Sequence, residues 1–135
     1  MTAGTWTPGA PVLPSLADLK DVAARWRHEG ESLIQALEGD LRLRLQGAMQ
    51  APANALDASL DALDLQELEA LVRLFTVIEQ QPGFEAGAKS PVIALARRLR
   101  PQLDADAFAE LVRWIRAHSD NRFLPHGSLQ DRLRA

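Results

Sequence analysis

From Ser15 onward the apolar residues recur at spacings of three and four, and this periodicity limits the fold more than any other feature of the chain. Such spacing gathers side chains on one face of an α-helix, whereas a half-buried strand needs strict alternation. Leu16, Leu19, Val22, Ala23 and Trp26 predict a first helix opened by Ser15, with Asp18 three residues on and Gly30 as its stop. Ser32 opens a second stripe of Leu33, Ile34, Leu37, Leu41, Leu45 and Ala48, with Leu43 on the opposite face. Leu41 to Leu45 alternates like a strand, but it lies within the longer helical period and is read as helix. One helix is therefore expected across 32–48.

Pro52 breaks the connection over 50–58, and Leu56, Leu60 and Leu63 suggest a short helical turn. Asp64 with Glu67 forms a capping pattern for a third main helix. Its apolar residues, Leu68, Leu71, Val72, Leu74, Phe75 and Ile78, cover about half the circumference, wider than an ordinary surface stripe. This is the expected central helix. Residues 81–89 carry a proline and two glycines and read as a loop. Ser90-Pro91 is an N-cap followed by a proline at the first helical position, where no amide partner is lost. Val92, Leu95, Ala96 and Leu99 face inward over 90–100, and Asp104 caps a last main helix, 104–118, with Phe108, Leu111, Val112 and Ile115 on its core face. The fold class expected is all-α: a single-domain bundle of about five helices over 15–135, with an irregular C-terminal segment that ends in a short turn at 128–135. Residues 1–14 hold three prolines and no charge, and are expected to form a flexible arm, with docking of Trp6, Val12 and Leu13 on the body as the alternative.

With 135 residues the chain has the size of one domain, which typically runs to about 100–150 residues. It contains no cysteine, which excludes a disulfide scaffold, a thiolate metal site and a cysteine nucleophile. No apolar run approaches the roughly 18 residues of a membrane span. The start has neither a basic stretch nor an apolar one of signal-peptide type, so a cytoplasmic location is expected.

Charge is unevenly spread. Residues 1–88 carry 6 basic and 13 acidic side chains, and residues 89–135 carry 9 basic and 5 acidic, which sums to the net charge of −3. Two readings follow: the halves pair their charges internally, or the basic end holds an anionic partner. Arg97, Arg98, Arg113, Trp114, Arg116 and Arg122 form the expected partner-binding set, on a face where Phe123 is also interleaved, since Arg and Trp are enriched at interaction hot spots. Trp114 lies about 110° from the centre of its helix's apolar stripe, at the edge of the core. The function expected is therefore a small non-catalytic adaptor or regulator that binds a protein partner through this basic, aromatic-bearing C-terminal third.

One alternative is a nucleic-acid-binding transcriptional regulator using the 90–100 and 104–118 pair as a helix-turn-helix. Asp104, Asp106 and Glu110 at the start of its second helix would repel phosphates. A plain helix hairpin accounts for the same pattern. A lower-ranked alternative is a small enzyme using the 118–126 loop, with His118 or His126 as general base and Asp120 orienting it. The plainer reading places His118 at a helix C-terminus and has Asp120 and Asn121 shaping the turn. Gly83 to Ser90 has the wrong glycine spacing for a phosphate loop, and Asp57, Asp61 and Asp64 lack the glycine-centred loop of a calcium site. No cofactor or metal is expected. Leu43 and Trp114, off the main stripes, leave a homodimer open beside a monomer.

Overall fold

A computed structural model describes residues 12–52 and 54–124. Among them the chain is all-α, with seven α-helices and no strand. These are α1 (Leu16–Glu29), α2 (Ser32–Ala36), α3 (Gly39–Ala48), α4 (Asp57–Asp61), α5 (Leu65–Ile78), α6 (Pro91–Leu99) and α7 (Ala105–His118), with a 3-10 turn at Gly87–Lys89. Most of the arm, residues 1–11, and the expected turn at 128–135 lie outside the described residues.

Four of the seven helix starts, those of α1, α5, α6 and α7, are built by capping side chains that the sequence presents. Ser15 Oγ accepts from the Asp18 amide at 3.0 Å while Asp18 returns a bond to the Ser15 amide at 2.9 Å. Asp64 and Glu67 repeat this reciprocal pair at the start of α5, at 2.8 and 2.9 Å. Ser90 caps α6 with Pro91 behind it, and Asp104 caps α7 by accepting from Ala107 at 2.7 Å.

The expected helix over 32–48 is two helices. Leu37 and Glu38 are extended, and Gly39 takes a φ of +64°, a left-handed conformation that favours glycine. Leu37 still points into the core after the break, so the apolar spacing continues unbroken through a chain that has changed direction. The short turn expected around Leu56 to Leu63 is α4, and all three leucines are buried.

α5 is the central helix. Nine of its 14 residues are buried, Leu71, Val72, Leu74, Phe75 and Ile78 completely so. Its most extensive partners are α6 and α1, and α7 closes on it from a further side. Thr76, also fully buried, satisfies its hydroxyl by donating to the Val72 carbonyl at 2.6 Å. Each large apolar side chain withdrawn from water contributes about 1.5–3 kcal/mol, so α5 carries the largest share of the hydrophobic stabilisation.

Charged ties orient the outer helices on this core. Arg44 of α3 holds Asp18 of α1 through two bonds of 2.7 and 3.2 Å, and that guanidinium keeps the Asp18 carboxyl below its ordinary range. Lys20 of α1 meets Glu67 of α5 at 3.1 Å. Residues 12–14, expected to belong to the free arm, instead lie against α3. Pro14 is buried, and the Val12 backbone passes so close to Gly47 that a methyl group there would overlap the Val12 carbonyl oxygen. Gly47→Ala is expected to lift this segment off. Helix propensity gains about 1 kcal/mol at that position, which offsets the lost contact. A broad-specificity protease should therefore cleave within 12–15 faster while the melting temperature barely moves.

Candidate functional site

The core-facing rows of α5 run through Leu68, Val72 and Phe75, and the next position at that spacing is Glu79. A carboxylate thus arrives where an apolar side chain belongs. Glu79 is only 5% exposed. Its Oε2 accepts from the Ser90 hydroxyl, and its Oε1 accepts from Asn121 Nδ2 at 3.2 Å. Burial pushes its carboxyl up to about 7, against the opposing pull of the Ser90 and Asn121 hydrogen bonds.

These three residues come from three separate places: the end of α5, the N-cap of α6 and the segment that follows α7. Ser90 Oγ also accepts from the Val92 amide at 3.1 Å, so one hydroxyl serves both the helix cap and the carboxylate. Asn121 Nδ2 donates to the Gly87 carbonyl at 3.0 Å as well, and its Oδ1 accepts from the Phe123 amide at 3.0 Å. Gln80 reaches Ser119 Oγ at 3.3 Å, and Leu124 is buried in the core. Residues 119–124 are therefore pinned at several points to the end of α5. Beside the cluster lies an open cavity of about 430 Å³, lined among others by Glu79, Glu85, Asp120, Arg122 and Phe123.

The six residues expected to bind a partner do not form one patch. Arg98 turns to α4, meeting Asp61 at 3.0 Å and Asp57 at 3.1 Å. Trp114 is half-buried at a cleft between α5 and α7; the Arg73 guanidinium sits 5.4 Å from its ring centre, and the His118 ring stacks on it at 4.0 Å. Arg97, Arg113, Arg116 and Arg122 are exposed. Arg113 and Arg116, three residues apart, share the outer surface of α7 on the flank away from Trp114. The Arg122 guanidinium lies 5.5 Å from the centre of the Phe123 ring, which is itself 48% exposed.

Among the described residues, internal charge pairing between the two ends of the chain comes down to Arg98. Of the seven cations in 89–124, none but Arg98 makes an ion pair among the described residues. In the preceding part of the chain, Lys20, Arg25, Arg44 and Arg73 all have carboxylate partners.

The 118–126 loop does not bring its catalytic candidates together among the described residues. His118 Nδ1 donates to the Trp114 carbonyl at 2.8 Å, back along its own helix, while Asp120 is exposed and makes no hydrogen bond with it. His126 lies outside the described residues. Asn121 shapes the turn, as expected, but its companion is Ser119, whose hydroxyl accepts from the Asn121 amide, and not the expected Asp120. Lys89 donates to the Gln50 carbonyl at 3.4 Å. Leu43 is 60% exposed on α3, on the side expected for it.

Sequence reasoning missed Glu79, although its place in the apolar rows was a readable signal. It also missed Phe84, which is buried in the middle of the 81–90 connection beneath the Arg42 guanidinium. Proline and glycine around Phe84 mark a loop correctly but say nothing of where its aromatic side chain goes. Compared with known proteins, the chain matches no protein family, no curated protein and no solved structure.

Proposed function

We propose that this chain is a small non-catalytic helical interaction protein, an adaptor or regulator, that binds an acidic segment of a protein partner through its basic C-terminal end. The observation that carries this reading is the set of cations over 89–124 that have no ion pair within the described residues while the preceding cations are mostly paired. Arg113, Arg116 and Arg122 are the centre of the contact set, and Phe123 beside Arg122 offers an apolar anchor next to charge. Arg-rich surfaces with an exposed aromatic ring are a common composition for interaction hot spots. Asp104 at the N-cap of α7, with Asp106 and Glu110 on its first half, favours a protein partner over a nucleic acid, because a phosphate backbone docked there would meet carboxylates.

Charge reversal is the test. Arg113→Glu with Arg116→Glu is expected to weaken partner binding at least about tenfold, mainly through the association rate and with reduced salt dependence. Both side chains are exposed and make no ion pair among the described residues, so stability should stay within about 0.5 kcal/mol of the wild type. Unchanged binding by the folded double variant would remove this surface from the interaction.

A further inference from the structure

We propose that the Glu79–Ser90–Asn121 cluster is a proton-responsive latch that sets the position of Arg122 and Phe123, and so regulates the interaction surface; this rests on the functional reading above. The geometry supplies both halves of the device. Asn121 is the hinge-side contact: its amide is bonded to Glu79 and Gly87, and its carbonyl oxygens, side-chain and main-chain, hold the amides of Phe123 and Leu124 at 3.0 and 3.1 Å. Glu79 is the responsive half: it is 5% exposed, and Asn121 of the 119–124 segment is one of the two groups bonded to its carboxyl.

The direction follows from solvation. Closed, the carboxyl is almost wholly desolvated and its neutral form is favoured; open, water reaches it and the charged form is favoured. Ionisation therefore drives the loop open, and protonation holds it shut. The charged groups around Glu79 do not reverse this. The 81–90 connection offers Glu85, which is exposed, and Lys89, which is turned to the Gln50 carbonyl. α6 presents only the Ser90 hydroxyl. The 119–124 segment brings Asp120 and Arg122, opposite in sign and both exposed, and His118 is stacked on Trp114. With the closed carboxyl at about 7 and the ordinary value at 4.5, opening rises with pH across that window and levels off above it.

Hydrogen exchange of the full-length protein tests this without any partner. After correction for intrinsic rates, protection of the Phe123 and Leu124 amides should fall about tenfold or more between pH 5 and 7.5. Glu79→Gln, which keeps the shape and cannot ionise, should flatten that dependence. Asn121→Ala, which cuts the tie without touching a helix, should leave the same amides weakly protected at every pH. A flat wild-type profile, an undiminished slope in Glu79→Gln, or full protection in Asn121→Ala would each overturn the latch. A pH-dependent loop in a protein whose binding survives reversal of Arg113 and Arg116 would instead count against the interaction surface and leave the latch standing.

Discussion

Phe75→Ala should destabilise the protein by about 3–5 kcal/mol, the largest effect expected of a single substitution in this chain. Phe75 is fully buried on α5, the helix against which α1 and α6 both pack. Truncation removes the transfer free energy of the ring and leaves a cavity that the surrounding helices fill only in part. Domains are commonly stable by only about 5–15 kcal/mol, so this one change takes a large share of the total. Leu43→Ala is the matched control: at 60% exposure its side chain gives up little on truncation, and the change should stay within about 0.5 kcal/mol. Urea denaturation of the two variants beside the wild type measures the contrast. Comparable losses in both would contradict the placement of α5 at the centre of the core.

The second large effect is on the pH dependence of stability. The folded-state carboxyl of Glu79 is raised to about 7 from an ordinary 4.5, so between these values the folded protein binds a proton that the unfolded chain has released. Stability linked to Glu79 is therefore complete below about pH 4.5 and is lost as pH rises to about 7, by up to about 3 kcal/mol. Most proteins whose carboxylates are paired behave in the opposite way. Asp18, held down by Arg44, is such a group here, but its contribution is lost only as pH falls through its lowered value, beneath the Glu79 window. Glu79→Gln should flatten the profile and leave the variant more stable than the wild type at pH 8. Its amide can still accept from Asn121 and donate to Ser90, so the cluster keeps its hydrogen bonds. Urea unfolding at pH 5 and pH 8 checks both statements. A wild type that gains stability over this range would show that Glu79 is hydrated in the folded protein.

Much of the helical architecture was legible because it is written locally. Ser15 with Asp18, Asp64 with Glu67, Ser90 with Pro91 and Asp104 each state where a helix starts, and each is used as stated. The break between α2 and α3 was not legible, because Leu37 keeps the apolar phase across a break made by the backbone of Leu37, Glu38 and Gly39. The candidate site divides in the same way. Arg113, Arg116 and Arg122 could be picked out by type and position, but whether each finds a carboxylate depends on which helices become neighbours. Arg98 looks no different from Arg97 in the sequence, yet α4 presents Asp57 and Asp61 to it and leaves Arg97 exposed. The Glu79 cluster joins residues 11 and 42 positions apart, a convergence that no local pattern encodes.

The most direct measurement of the proposed function is partner capture from nuclease-treated lysate by the purified tagged chain, with Arg113→Glu/Arg116→Glu run in parallel and bound proteins identified by mass spectrometry. The expected result is a defined protein that is retained after nuclease treatment, binds the wild type, and is depleted at least about tenfold on the charge-reversed variant. Equal capture by both chains, or loss of all partners on nuclease treatment, would contradict it. The latter outcome would turn attention to α6 and α7 as a nucleic-acid surface.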